Sequence, residues 1–147
     1  MLEKTDDEDV RGQLLVFLGA AQRPELAAKA RDLVLDPVLR VTEIPDTLFH
    51  QLETRETREA TWKWLKEHID PLLERISRRG GSTLVHQASV FCDDAHAADV
   101  DAFFTPRLAG MEGGPRVLAE TLEEIRLCAA LRKAQEPSVR SFFKNRK

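Results

Sequence analysis

Residues 115–134 read PRVLAETLEEIRLCAALRKA, the longest uninterrupted helical pattern in the chain. At about 100° per residue, apolar side chains recur there at the spacing of a helix that packs against a core. The members of this stripe are Leu118, Leu122, Ile125 and Ala129. Gly113-Gly114 precedes the stretch, and Pro115 suits the first helical position because its missing N–H removes no hydrogen bond. The pattern predicts a core helix that begins at Pro115.

A second apolar set lies on roughly the opposite side of this helix. Its members are Leu127, Ala130, Leu131 and Ala134. One layer of structure cannot bury both sets, so we expect an inner helix with neighbours on two sides. Glu123 projects into the second set. Because a carboxylate among apolar side chains needs a partner or a role, Glu123 is the candidate binding residue. An ion pair with Arg116 or with another helix is the structural alternative.

Short helical patterns separated by turn signals fill the rest of the chain. Their predicted starts are Thr5, Pro24, Pro45, Thr57, Ser82, Asp93 and Pro137. The first pattern opens with a capping box at residues 5–8 and runs to about Ala20. Its predicted core stripe is Val10, Leu14, Phe17 and Leu18. We expect Pro71 to kink or split the fourth pattern, and Gly80-Gly81 to end it.

Composition favours a helical fold. The chain has 147 residues, of which 42% are hydrophobic and 32% are charged, and it contains no tyrosine. The prediction is an all-α protein with a single domain over residues 1–147, built from antiparallel helix hairpins stacked as in a HEAT or armadillo superhelix. A compact globular helical bundle is the alternative architecture.

Charge and cysteine usage limit the partners and the compartment. The net charge is −3, from 22 basic and 25 acidic residues that are interspersed, so we expect neither nucleic acid nor an acidic membrane as partner. The basic residues at 144–147 are interpreted as a solvated tail. Cys92 and Cys128 lie in apolar helical patterns without CxxC spacing, which favours buried free thiols over a disulfide. This favours a cytoplasmic protein.

The residues carry no pattern typical of catalysis or of metal binding. The histidines are His50, His68, His86 and His96, and none forms an HxxxH pair. The serines lie in no nucleophile motif, and the Gly-Gly pairs lack the lysine of a phosphate-binding loop. Core packing is the predicted role of the aromatic residues Trp62, Trp64, Phe91, Phe103 and Phe104. On residues alone, the chain is a helical-repeat domain without a catalytic site, a metal or a cofactor.

Several stretches, in order, resemble the C-terminal helical domain of gluzincin zinc aminopeptidases of the alanyl and puromycin-sensitive type, which include the antigen-trimming enzymes of the endoplasmic reticulum. The similar stretches are LDPVLR at 35–40, IP at 44–45, TREATWKWLKEH at 57–68, VFC at 90–92, VDAFF at 100–104, and residues 116–143 with EEI at 123–125. Leu131 stands where many members have tryptophan, and Cys128 replaces an asparagine.

The resemblance implies that the catalytic HExxH motif and the zinc lie upstream, in a larger chain. This segment would then be a noncatalytic domain that closes over the catalytic domain and shapes a chamber for peptide substrates, with Glu123 facing the chamber or the domain boundary. The alternative is an independent helical-repeat adaptor that binds a protein or peptide partner. A domain of a larger enzyme should expose apolar residues on its N-terminal side, whereas an adaptor needs a polar cap there.

Overall fold

The computed structural model describes residues 2–145, apart from the side chains of Glu3, Arg78 and Arg79. The α-helices are α1 (Glu8–Gly19), α2 (Pro24–Asp32), α3 (Ile44–Glu53), α4 (Arg58–Glu67), α5 (Ile69–His86), α6 (Asp94–Phe104) and α7 (Gly114–Lys144). Short 3₁₀ helices are formed by Leu2–Lys4, Leu33–Leu35, Val41–Glu43, Gln87–Val90 and Thr105–Gly110. Residues 2–145 contain no strand, so the all-α prediction is confirmed. The basic tail predicted at 144–147 lies partly outside the described residues.

Buried apolar side chains form one continuous cluster from Leu2 to Ile125. In this cluster α1 packs on α3, α3 packs on α4, and α5 and α6 both pack on α7. The least exposed members include Leu48, Leu65, Leu72, Phe91, Phe104 and Ile125. Burying each such side chain contributes about 1.5–3 kcal/mol. The packed pairs therefore include consecutive helices (α3 with α4, α6 with α7) and helices one element apart (α1 with α3, α5 with α7), while the superhelical stacking stays a prediction.

The first helix differs from its prediction in both its start and its buried face. Asp7, rather than Thr5, is the N-cap, because its carboxylate accepts from the backbone N–H groups of Asp9 and Val10 at 3.0 and 3.1 Å. The buried residues of α1 are Arg11, Leu15 and Gly19. Of the predicted stripe, Val10 and Phe17 are exposed.

Two contacts explain this rotation of α1. The Arg11 guanidinium donates two hydrogen bonds of 2.7 Å to the Glu43 carboxylate, and a third of 2.6 Å to the Leu2 carbonyl. At Gly19, an added Cβ would lie 2.7 Å from the Cβ of His50. α1 therefore faces α3 with the side that carries Arg11 and Gly19.

The split predicted near Pro71 occurs three residues earlier, at His68 between α4 and α5. Pro71 lies in the first turn of α5, where proline is tolerated. α5 consists of two helices joined at a kink, because Ser77 inside it has φ 59° and ψ 167°. The first of them ends near Ser77, a few residues before the predicted stop at Gly80-Gly81. The start predicted at Ser82 is wrong, because the second helix already includes Gly80 and continues to His86. An added Cβ at Gly81 would lie 3.0 Å from Met111 Cγ, so this glycine serves close packing rather than a helix stop.

The last helix begins as predicted and then continues much farther. α7 runs for 31 residues through Pro137, so the separate helix predicted at 137 is wrong. Its length is about 46 Å at 1.5 Å per residue. The core stripe is confirmed for Leu118, Leu122 and Ile125, which are buried, whereas its fourth member, Ala129, is half-buried. The expectation of neighbours on two sides is wrong in this structure: Leu127 and Leu131 are each 62% exposed.

The prediction of free thiols is also wrong. Cys92 and Cys128 form a disulfide, with their Cα atoms 5.0 Å apart. Cys92 follows the 3₁₀ helix Gln87–Val90, and Cys128 lies where α7 leaves the packed part of the molecule. The bond therefore fastens α7 near the point where most of its side chains become exposed. The two residues are 36 positions apart in the sequence, and the packing of α7 on α6 and on the 3₁₀ helix Gln87–Val90 brings them together.

Candidate functional site

The four histidines lie apart from one another and make different contacts. The His68 ring stacks on Trp64 with 4.4 Å between centroids, and its Nδ1 lies 2.8 Å from the Trp64 carbonyl oxygen. His50 is half-buried and lies 4.0 Å from Glu53, and His86 is exposed and lies 3.9 Å from Glu124. Within the described part of the chain, no three His, Cys, Asp or Glu residues converge in a way that would hold a metal ion.

His96 joins α4 to α6 between two carboxylates. Its Nδ1 lies 2.7 Å from Asp93 and its Nε2 lies 3.2 Å from Glu59, while its ring stacks on Phe91 at 4.0 Å. Burial disfavours the charged imidazolium, but the hydrogen bonds to Asp93 and Glu59 outweigh it and hold the pKa of His96 above its ordinary value. Asp93 is also the N-cap of α6, and the His96 backbone N–H is the main cause of its lowered pKa.

A second polar contact joins the same two helices. The Asp99 carboxylate accepts from Trp62 Nε1 at 2.6 Å and from Lys66 Nζ at 2.7 Å. Partial burial raises the pKa of Asp99, but these two hydrogen bonds exceed that effect and the net pKa is lowered. The Lys66 ammonium also lies 5.3 Å from the Trp62 ring centroid, a cation–π contact. The side-chain hydrogen bonds of His96 and of Asp99 thus hold α4 against α6.

The raised pKa of His96 predicts a pH dependence of stability. A group whose pKa is higher in the folded state stabilises the fold fully below its unfolded pKa of about 6.5, and this stabilisation disappears as the pH rises through the folded pKa. We expect urea midpoints of the wild type and His96→Gln to differ most in mildly acidic buffer and to converge above neutral pH. In a Glu59→Gln background, the His96→Gln change should shift the urea midpoint in mildly acidic buffer by less than it does in the wild type. A gap that does not change with pH would contradict this ionic role.

Five large apolar side chains among the first 41 residues are exposed. They are Val10, Val16, Phe17, Leu26 and Val41, on α1, α2 and the 3₁₀ helix Val41–Glu43, and we call them together the N-terminal apolar surface. The Phe17 side chain is 74% exposed. The sequence pattern assigned Val10 and Phe17 to the core. Periodicity identified these apolar positions but not the side on which neighbouring helices lie.

A groove of about 610 Å³ separates α6 from the middle of α7. Ala97, Ala98 and Ala102 form its floor, and Asp94, Asp101 and Arg126 are among the residues around it. The charges have both signs, and the residues that line the groove include no histidine, cysteine or serine. It offers a short polar contact surface.

Glu123 lies exposed on α7. The expected ion pair with Arg116 is wrong, because Arg116 donates to Glu120 instead, at 2.8 Å. Its role as a binding residue stays a prediction. The side of α7 that carries Glu123 also carries Leu127 and Leu131, so the carboxylate and these exposed leucines belong to one surface.

An all-α fold with an exposed apolar surface and no metal-binding cluster in its described residues is typical of a helical domain that works beside other domains. The model of the family described as "ERAP1-like C-terminal domain" matches residues 1–127. The chain belongs to this family, which places it among the C-terminal domains of M1 aminopeptidases and confirms the resemblance. A search of curated proteins finds no match. No helix in the described residues is long and apolar enough to cross a membrane.

Proposed function

We propose that this chain is the noncatalytic C-terminal helical domain of a zinc aminopeptidase. In this role it packs against the upstream catalytic domain of the parent chain and shapes the chamber that admits peptide substrates. The observation that supports the proposal is the N-terminal apolar surface, because a solvent-exposed helix end should be polar. Burying Phe17 alone would contribute about 2 kcal/mol to such docking. The family match supplies the class of the parent enzyme.

The contribution of this domain to catalysis would be geometric. A helical wall over the active site excludes water and limits the size of the peptides that enter, and its movement can gate turnover. The described residues of this chain do not supply a set of zinc ligands. The zinc and the residues that hold it would therefore belong to the upstream catalytic domain.

The Cys92–Cys128 disulfide changes the inferred cellular compartment of the protein. The cytoplasmic prediction depended on free thiols, and Cys92 and Cys128 are bonded to each other. Disulfides persist in oxidising environments and are rare in the cytosol. We therefore infer that the protein works in an oxidising compartment. Thiol titration of the denatured protein, isolated without reductant, should detect no free cysteine, and two free thiols would support the cytoplasmic interpretation.

The first prediction from this proposal concerns activity. The isolated chain should release no product from aminoacyl-coumarin substrates, with or without added zinc, because its described residues form no group of three His, Cys, Asp or Glu side chains that could hold the metal. The measurement is fluorescence over hours, with a complete aminopeptidase as the positive control. Zinc-dependent release by the purified chain would show that the domain is itself catalytic.

The docking role is tested in the full-length parent enzyme. Phe17→Asp should loosen the domain interface, which would be measured as faster limited proteolysis and a lower kcat for long peptides. Phe143→Asp is the matched control, since Phe143 is 67% exposed and lies beyond the residues that the family model matches. Equal behaviour of the two variants would contradict docking through the N-terminal apolar surface.

An immunoblot that detects only a 16.7 kDa product would favour the independent adaptor.

A further inference from the structure

The distal part of α7, residues 126–144, is largely exposed. Every residue in it is exposed except Ala129, which is half-buried. The sequence from 126 to the end contains seven basic residues and one acidic residue, so the rest of the chain keeps 15 basic and 24 acidic residues. A strongly basic extension therefore emerges from an acidic body. Opposite charges on two parts of one molecule favour contact between copies.

One side of this extension has the pattern of a helix-pairing seam. Leu127, Leu131, Ala134 and Ser138 recur at alternating spacings of four and three residues, the a and d positions of a heptad. Large residues stand at the first two positions and small residues at the last two. Two such helices that run antiparallel place the large side chains of each over the small side chains of the other. Leu131 then packs on Ala134, and Leu127 packs on Ser138.

The flanking charges select the same antiparallel register. Glu123 and Lys144 occupy the same heptad position, g, three heptads apart, and both are exposed. When Leu131 lies over Ala134 of a second copy, Glu123 lies beside Lys144 of that copy, on the same edge of the seam. Arg126, Lys133 and Arg140 recur every seven residues on a side turned away from the seam. Their like charges therefore stay apart in the pair.

We propose that two copies of this chain associate through antiparallel pairing of their α7 helices. The seam is Leu127, Leu131, Ala134 and Ser138, and the ion pairs are Glu123 with Lys144 of the other copy. The helices overlap over residues 120–145, about 38 Å. On the proximal half of the seam, Glu120, Glu123, Glu124 and Leu127 are exposed, which leaves room for the second helix. Val139 and Phe143 point to the opposite side and stay outside this contact.

Sedimentation velocity of the 147-residue chain tests the pairing. We expect a concentration-dependent shift from the 16.7 kDa monomer to twice that mass. Leu131→Glu should leave only monomer, since it places a charge in the seam without touching the core. Phe143→Glu is the matched control and should dimerise like the wild type. A wild type that stays monomeric at the highest soluble concentration, or a dimer that survives Leu131→Glu, would overturn the proposal.

Charge reversal tests the register. Glu123→Lys and Lys144→Glu should each weaken the dimer about tenfold, since two ion pairs become two repulsions, and the double variant should restore the wild-type dissociation constant. Single variants without effect, or a double variant without rescue, would refute the antiparallel arrangement. The same helix has a basic side that could attract an anionic membrane. If the chain stays monomeric and binds phosphatidylserine vesicles, the partner of this helix is a lipid surface and not a second copy of the chain.

Discussion

Replacement of Trp62 by alanine is expected to lower the free energy of unfolding by about 3–5 kcal/mol, the range for large aromatic residues removed from a core. Trp62 is 3% exposed. Its ring lies 5.6 Å from Phe91 and 5.7 Å from Phe103 in edge-to-face contacts, and 6.0 Å from Phe104. Trp62 lies on α4, Phe91 precedes α6, and Phe103 and Phe104 lie on α6. Truncation of Trp62 would therefore leave a cavity between α4 and α6.

Urea denaturation monitored by far-UV circular dichroism measures this effect, because the signal does not depend on the deleted tryptophan. Two milder variants separate packing from hydrogen bonding. Trp62→Phe keeps an aromatic ring but loses the hydrogen bond to Asp99, and we expect a loss of about 1–2 kcal/mol. Asp99→Leu removes the acceptor and leaves the ring. If Trp62→Ala lowers the free energy of unfolding no more than Trp62→Phe does, the packing of the Trp62 ring on Phe91, Phe103 and Phe104 contributes little to stability.

Removal of the disulfide is the second large effect. We expect Cys92→Ser combined with Cys128→Ser to lower the free energy of unfolding by about 3–4 kcal/mol. The sequence separation of 36 residues sets this range, since an open loop of that length gives the unfolded chain more conformations. For a protein of this size, the melting temperature should fall by about 10 °C.

Reductant provides the control for the disulfide prediction. Cys128 is exposed and Cys92 is half-buried, so dithiothreitol should reach the bond in the folded protein. Reduction should lower the melting temperature of the wild type to that of the double variant and should leave the double variant unchanged. Hydrogen exchange of α7 beyond residue 128 should also accelerate in both. Identical melting curves of the wild type with and without reductant would contradict the disulfide.

Helix starts were predictable wherever the signal was local. Pro24, Asp93 and Pro115 each stand within one residue of the first residue of a helix, because a fixed φ or a capping carboxylate acts on its own neighbours. The same signals failed at Ser82 and Pro137. There the chain continues as helix, since packing or simple propagation of the helix outweighs a weak cap or a single lost hydrogen bond.

The buried side of each helix was predictable only where one apolar stripe dominates. The stripe Leu118, Leu122 and Ile125 of α7 was identified correctly, and the hydroxyl of the buried Thr121 beside it is satisfied locally by the Val117 carbonyl at 2.8 Å. On α1 the pattern indicated Val10 and Phe17, whereas Arg11 is the residue that lies buried against Glu43. These two partners are 32 residues apart. No local rule predicts a buried ion pair at that distance, because its stability depends on the desolvated geometry of the finished fold.

The amino-acid sequence by itself determined the all-α class, the start and core side of the long helix, and the membership of the aminopeptidase domain family. These follow from composition, periodicity and the order of short motifs, which act locally. The tertiary structure alone decided that Cys92 meets Cys128 and that Phe17, Leu127 and Leu131 remain exposed. Exposure and disulfide pairing depend on which distant segments meet, and the periodicity of one helix contains no information about its neighbours.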